Sequence, residues 1–442
     1  MAFRPHSQHT VNMATAAPAF DFWSQIGKAD AVQLQTRLAD CSIPAGQAFI
    51  HAGEPGDCLY FLRQGQAEVR RQGAALAQLA PGHIVGEMAL LDRHPRNADV
   101  VAVTDCQLSR LSLQHFDELC DRLPNLRLIL THLVAHRLNW SGADVLARRI
   151  GPYEIVQQLG AGNMGWVFRA SRGPDQFAIK MLPHPLVHQP GFLERHRREA
   201  QLLRQIAHDH IVQLHDLIEL YGTAFLVLEY IHGRNAQEWT IQLGRPSGAD
   251  IRRMIMAVAS ALQAAHAAGV LHCDIKPGNI MLRTDGVVKL VDFGIAASTH
   301  APTDKQSAQL TPGYAAPEQF DGQCVPASDF YSLGVTAYEL LTGHLPFNGT
   351  TLTDWARLHQ KVLPPSLSRD LQPADLVGFI QAALIKNPEA RLTALQPFLR
   401  DWAGTTESLR VSRPPVPREA VTSDRRVSPA VAAALTVIEK AG

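Results

Sequence analysis

Between Phe22 and Trp140, short apolar runs alternate with polar ones, and glycines interrupt them at Gly46, Gly53, Gly56, Gly65, Gly73, Gly82 and Gly86. Short strands joined by tight turns at this spacing predict an all-β barrel behind a short helical start. The period then changes. Leu126, Ile129, Leu130, Leu133, Val134 and Leu138 recur at helical intervals and predict a helix over 125–140 with one apolar face. From Tyr153 the chain begins again with strands and becomes mostly helical, with the 3.6-residue period in 192–205, 251–267 and 330–342. After Gly404, Pro, Ser, Thr and Arg dominate, the composition of a flexible tail; its run 430–440 has helical character but no evident packing partner. The expected division is a disordered leader (1–21), a barrel domain ending in a helix (22–140), a linker (141–152), a second domain (153–404) and a tail (405–442).

A chain of 442 residues is long enough for two or three cores. Its 41 basic and 41 acidic residues cancel, which argues against nucleic acid or an anionic membrane as the main partner. No apolar run approaches the ~20 residues of a membrane helix, and Met1–Phe20 lacks the apolar centre of a signal peptide, so a cytoplasmic protein is expected. The cysteines (Cys41, Cys58, Cys106, Cys120, Cys273, Cys324) are dispersed without a Cys-x-x-Cys pair. They read as thiols of a reducing compartment, not as a disulfide or zinc framework. The histidines form no metalloprotease-type cluster, and no transition metal is assigned.

The chemistry concentrates in His272-Cys273-Asp274-Ile275-Lys276-Pro277-Gly278-Asn279 and Val291-Asp292-Phe293-Gly294. Asp274 can accept a proton from an attacking hydroxyl, Lys276 can neutralise a phosphate, and Asn279 and Asp292 can hold a metal ion. Phosphoryl transfer asks for little else from side chains. Upstream, Gly160, Gly162 and Gly165 precede Val167 as Gly-x-Gly-x-x-Gly-x-Val. A plain turn, a dinucleotide-binding turn and a phosphate-covering hairpin all fit glycines so spaced. The strand-like Trp166-Val167-Phe168 favours the hairpin, since the dinucleotide motif continues as a helix. Lys180 ends the strand-like Phe177-Ala178-Ile179-Lys180; Glu199 is its expected ion-pair partner and Glu194 a competing one.

In this order, across 153–402, these runs resemble the protein kinase family, and Lys276 and Thr311 resemble its serine/threonine branch of the bacterial eukaryotic-like type. The resemblance implies a two-lobed α+β fold with ATP and Mg2+ in the cleft. Lys180, fixed by Glu199, would hold the α- and β-phosphates, and Gly160, Gly162 and Gly165 would cover them. Val167, Ala178 and Met281 would sandwich the adenine, while Glu229 and Ile231 offer it backbone groups beside Leu228 as gatekeeper. Asn279 and Asp292 would bind magnesium, and Asp274 would act as base toward a serine or threonine of a protein substrate. Structural roles are implied for Glu318 with Arg391 and for Asp329. Because Lys180, Asp274, Asn279 and Asp292 are all present, an active enzyme is expected over the alternative, a catalytically silent scaffold. Cys273 stands where most kinases carry the Arg that meets an activation-loop phosphate. Ordering of 293–315 is therefore expected to depend little on phosphorylation of Ser298, Thr299, Thr303 or Ser307.

In the barrel region, Gly56–Gly65 and Gly86-Glu87-Met88-Ala89-Leu90-Leu91 with Pro95-Arg96-Asn97-Ala98 resemble cyclic nucleotide-binding domains. Relatives of that family include bacterial transcription activators and cyclic-nucleotide-dependent kinases. The resemblance implies a jelly-roll-like β-barrel in which Glu87 accepts from the ribose 2′-hydroxyl and Arg96 binds the cyclic phosphate. Backbone N–H groups near Met88 and Ala89 would complete the anion site. Asn97 is the next contact, cAMP is preferred over cGMP, and helix 125–140 is the lid, with Asn139, Trp140 or Ser141 near the base. The other reading is a barrel that has lost its ligand and serves for docking. The resemblance also offers a homodimer through helix 125–140 and control of the kinase through the 141–152 linker. A transcription activator is disfavoured, because a kinase and not a helix-turn-helix follows the barrel. Arg148-Arg149-Ile150-Gly151 and Arg425-Arg426-Val427-Ser428 resemble sites for basic-directed kinases, but the plainer reading is solvated charge.

Overall fold

A computed structural model describes residues 21–93, 95–139, 149–162, 165–293, 310–368, 373–403 and 409–411. The leader, most of the linker, Trp140 and Ser141, the four activation-loop hydroxyls, Arg148, Arg425 and the 430–440 run lie outside the described residues. The chain forms two compact units, 1–204 with 213–230, and 205–212 with 231–442. The division thus runs through the kinase-like segment, and the barrel shares its unit with the strand-rich lobe.

In the first unit, α1 (Phe22–Gln25) and α2 (Lys28–Gln35) precede eight strands. These are β1 (Ala39–Ile43), β2 (Ala48–Ile50), β3 (Cys58–Gln64), β4 (Ala67–Arg71), β5 (Ala74–Leu79), β6 (Ile84–Val85), β7 (Asp99–Ala102) and β8 (Cys106–Ser112), with α3 (Glu87–Asp92) between β6 and β7. They form two antiparallel sheets, ordered β1-β8-β3-β6 and β2-β7-β4-β5. Ile50, Leu62, Ala67, Leu79, Val100 and Leu108, from both sheets, meet in one core. The run Leu59-Tyr60-Phe61-Leu62 is continuously apolar because both faces of β3 are covered. Leu62 faces the barrel interior, while Leu59 and Phe61 lie under the helices.

Those covering helices include α4 (Leu113–Arg122), capped by the Ser112 hydroxyl on His115 N–H at 3.3 Å, and α5 (Pro124–Asn139). The apolar face expected of 125–140 is real, but it serves two cores. Leu126, Ile129, Leu130 and Leu133 pack with the barrel's α1, α2 and α4. Val134, Ala135 and Leu138 pack with the sheet that follows.

That second sheet runs β13-β14-β12-β11-β10-β9. Its strands are β9 (Arg149–Ile150), β10 (Tyr153–Gly162), β11 (Gly165–Arg172), β12 (Asp175–Met181), β13 (Leu214–Leu220) and β14 (Thr223–Glu229), with α6 (His184–Val187) and α7 (Phe192–Gln205) between β12 and β13. The glycine run is a hairpin between strands: Gly160 pairs with Val167 and Gly162 with Gly165. Gly165 has φ 109°, and a Cβ there would sit 2.1 Å from Met181 O, so no larger residue fits.

The second unit is mainly helical: α8 (Ala236–Leu243), α9 (Gly248–Ala267), α10 (Pro326–Thr342), α11 (Leu352–Lys361), α12 (Ala374–Ala383) and α13 (Pro388–Ala403). A small sheet of β15 (Gly233–Asn235), β16 (Ile280–Arg283) and β17 (Val288–Leu290) carries the catalytic-loop region. Ser247 caps α9 on Asp250 N–H at 3.1 Å, Pro326 opens α10, and left-handed Gly343 closes it. No helix among the described residues is long and apolar enough to cross a membrane.

Candidate functional site

In the second unit the expected catalytic residues are drawn together by one buried carboxylate. Asp329, on the first turn of α10 and fully buried, accepts from the His272 N–H at 2.9 Å and the Cys273 N–H at 2.7 Å. His266 on α9 lies 2.8 Å from the same carboxylate. These bonds hold Cys273 at φ 61°, a left-handed conformation that a non-glycine residue keeps only when its surroundings enforce it. The Asp274 N–H donates to His272 Nδ1 at 3.3 Å, so the ring proton sits on Nε2 and donates to Val291 O at 2.9 Å. Burial keeps His272 below the usual histidine range. The imidazole is thus a neutral strut between the catalytic loop and the strand leading to Asp292.

Asp274 is 8% exposed. One carboxylate oxygen accepts from Thr311 Oγ1 at 2.7 Å; the other faces Lys276 Nζ at 2.7 Å and Asn279 Nδ2 at 3.0 Å. Lys276 also donates to Thr311 at 2.9 Å. Burial pushes the carboxyl of Asp274 up, but the Lys276 charge and the bonds from Lys276 and Thr311 more than offset this and hold it below the usual carboxylate range. It is an ionised acceptor at neutral pH, as a base for a hydroxyl proton must be.

Asn279 ends a short 3-10 turn, Pro277–Asn279, and spends its amide N–H on Asp274 O at 2.8 Å as well. That leaves its carbonyl oxygen as the ligand atom. The other expected magnesium ligand, Asp292, has a backbone φ of 58°, and both residues offer the hard oxygen donors that magnesium takes. Met281 lies on β16, opposite Asn235 and Lys289. The Glu318–Arg391 pair forms with two contacts, 2.7 and 3.2 Å, and Arg391 also donates to the Ala327, Ile385 and Lys386 carbonyls. Ile231 is buried in this unit.

In the first unit, Val167 and Lys180 are cross-strand partners, as are Lys180 and Leu226, and Ala178 and Leu228. Residues directly opposite share a sheet face. Val167, Ala178, Lys180 and Leu228 therefore lie on one face, while Phe177, Ile179 and Met181 fill the core on the other. Lys180 and Glu199 are both buried, at 8% and 9% exposure. Glu229 ends β14 and its N–H donates to Gln213 O at 2.8 Å.

The barrel brings Glu87 and Arg96 into its interior, both buried, and leaves Asn97 exposed. The Arg96 guanidinium donates to Gly86 O at 2.7 Å and Cys58 O at 2.5 Å, and lies 3.5 Å from Asp57. Asp57 also pairs with Arg110 at 3.0 Å. Gly86 is required here: its φ is 89°, and a Cβ would meet Arg96 Nη1 at 2.6 Å. Next to Glu87, Met88 packs with Leu91 against the core of α5 and the second sheet.

Two features escaped sequence reading. Cys273 and Cys324 are joined by a disulfide, correcting the expectation of six free thiols; only Cys41, Cys58, Cys106 and Cys120 are free. Dispersion along the chain hid the pair, because 51 residues separate cysteines that folding brings together. The second is a buried bridge between α5 and α6. The Thr131 hydroxyl accepts from the His184 N–H at 2.9 Å and meets His184 Nδ1 at 2.9 Å, while His184 Nε2 reaches Tyr221 O at 2.8 Å. No motif marks either residue.

The protein kinase domain family model matches residues 153–403, and the cyclic nucleotide-binding domain model matches 41–123. Serine/threonine-protein kinase PknA of Mycobacterium tuberculosis is 37% identical over 274 residues, covering 60% of this chain and 63% of the relative. Serine/threonine-protein kinase Pkn1 of Myxococcus xanthus is 37% identical over 265 residues, covering 57% and 38%. The chain thus spans less than two thirds of the length of these curated relatives. A solved structure of the Mycobacterium tuberculosis PknI kinase domain is 28% identical, with a TM-score of 0.45, covering 58% of this chain and 97% of that one.

Proposed function

The chain belongs to the protein kinase family, and we propose that it transfers the γ-phosphoryl group of ATP to a serine or threonine of a protein substrate under the control of a cyclic nucleotide. The observation that carries the first part is the closed set of Asp274, Lys276, Thr311 and Asn279. Asp274 orients the incoming hydroxyl and takes its proton, held ionised by Lys276 and Thr311. Lys276 offsets charge on the transferring group, and Lys180 holds the remaining phosphates. Magnesium on Asn279 and Asp292 would neutralise the phosphate oxygens. ATP as donor goes with a cytoplasmic protein. A silent scaffold is disfavoured, because no residue of this set is missing.

Control by nucleotide is supported by the core on which Met88 packs. That core contains Ile179 and Met181, the neighbours of Lys180 on either side, and Val134, Ala135 and Leu138 of α5. A ligand on Glu87 and Arg96 that moves α3 acts on packing one residue away from the phosphate-binding lysine. The proposed route passes through these side chains; the 141–152 linker, expected to carry the signal, lies mostly outside the described residues. A ligand shifts such a balance only by its different affinity for the two states; a hundredfold difference is about 2.7 kcal/mol. We take cAMP as the preferred effector over cGMP, on the resemblance at Asn97.

The test is transfer of labelled phosphate from ATP to a generic Ser/Thr substrate, titrated with cAMP and cGMP, with Asp274→Asn as the blank. Transfer above the blank, changing several-fold with one nucleotide, is expected. No transfer above the blank rejects the kinase reading. Equal rates with and without saturating nucleotide, in a protein that binds one of them, reject the regulatory reading alone.

A further inference from the structure

Cys273 immediately precedes the catalytic base, and its sulfur is bonded to that of Cys324. The partner lies two residues past left-handed Gly322 and two before Pro326, where α10 begins. The bond therefore closes a ring of chain that contains Asp274, Asn279, Asp292, Thr311 and the whole activation segment. Its two ends are also fastened without sulfur. Asp329 of α10 holds the Cys273 N–H, and Gln319 Nε2 donates to Cys273 O at 2.9 Å while its Oε1 accepts from the Ala316 N–H at 2.8 Å.

From this placement we propose that the Cys273–Cys324 bond is a thiol–disulfide switch on phosphoryl transfer, the bonded form being the active one. It rests on the kinase reading above and adds the chemistry that controls it. The position usually given to a phosphate-binding Arg here carries a covalent tie. The tie does what that ion pair would do: it restricts the conformations open to the segment between its ends. Both cysteines are partly exposed, so small thiols reach them. A reducing dithiol attacks through one thiolate, breaking the S–S bond and forming a mixed disulfide; its second thiol then displaces the remaining protein sulfur. The protein gains two electrons and two protons, and the dithiol leaves as a disulfide. A low-molecular-weight disulfide runs the exchange backward. Disulfides in reducing compartments are usually of this transient, sensing kind.

The alternative for the cluster is a metal site, since the two sulfurs and an Asp329 oxygen lie within 4.8 Å of one another. Against it, both Asp329 oxygens already accept from the His272 and Cys273 N–H groups.

The experiment equilibrates the full chain across mixtures of reduced and oxidised dithiothreitol. In each sample, thiols are counted by alkylation and mass spectrometry, and kinase rate is measured. Rate should fall about tenfold on reduction, short of the ~10²-fold cost of displacing reacting groups by ~1 Å, and it should follow the thiol count. C324S should sit at the reduced rate and ignore the mixture. A rate independent of the bond, a C324S that still responds, a 273–324 pair that never oxidises, or stoichiometric zinc on the reduced chain would each overturn the proposal. Absence of transfer at every mixture, with the bond cycling normally, would reject the underlying kinase reading instead.

Discussion

Asp274 and Arg96 are both nearly buried charges, yet their partners differ in kind. Asp274 is met by side chains from the loop itself and from Thr311, all of which stabilise its ionised, reactive form. Arg96 is met mostly by main chain, the carbonyls of Gly86 and Cys58. On the function proposed above, a substrate hydroxyl would add to the first arrangement. A phosphate would compete with the second, and the carbonyls released would need other partners. The Asp274 set is preassembled, whereas Arg96 is satisfied by its own backbone. That difference makes the barrel, in the proposed reading, the part with two states to choose between.

Asp274→Asn should lower the transfer rate by ~10²–10⁴ while leaving the fold intact; a smaller loss in a steady-state assay would mean that the set is not the catalytic one. A second measurement concerns pH. Burial, aided by the His188 and Arg127 charges and opposed by the Tyr221 carbonyl bond, holds the folded His184 pKa down to about 4, well below the usual 6.5. The unfolded chain therefore binds the extra proton first as pH falls. Stability carried by neutral His184 is complete above pH ~6.5 and lost progressively toward pH ~4, about 3 kcal/mol in all. Urea unfolding at pH 7.5, 5.5 and 4.5 should show this slope, and His184→Gln should remove its share. His359 of the other unit, pushed down to about 3 chiefly by burial, acts in the same direction.

Arg96→Gln sharpens the contrast from the other side. Loss of a charge-assisted bond should weaken cyclic nucleotide binding ~10- to 100-fold by calorimetry, with phosphate transfer still measurable. Thr131→Val should cost about 1–3 kcal/mol by leaving the buried His184 N–H unpaired. It should also reduce the nucleotide response of the kinase while ligand affinity stays near that of the parent chain. Last, alanine at Ser298, Thr299, Thr303 and Ser307 together should leave the oxidised enzyme's rate unchanged in the same assay. A collapse there would restore phosphorylation as the ordering event.

The phosphoryl-transfer set was legible because its expected chemistry is written in short runs. His272 to Asn279 places the proposed base, lysine and metal ligand within eight residues, and the Glu318–Arg391 pair and the Asp329 brace formed as the resemblance implied. The barrel's strands were legible from their glycines. Periodicity also found α5 but not its partners: an apolar stripe says that a face is covered, not by what. Leu130 and Val134 are one turn apart in the same stripe and belong to different cores. The Thr131–His184 bridge and the Cys273–Cys324 bond join residues 53 and 51 apart. Neither leaves a local trace, since such pairs exist only once the fold does.

The ring closed by that bond has a practical consequence for handling the protein. Any protease that nicks the chain between residues 274 and 323 leaves two fragments joined through sulfur. On a denaturing gel run without reductant they migrate as one species, and apparent integrity there says nothing about whether the activation segment has been cut.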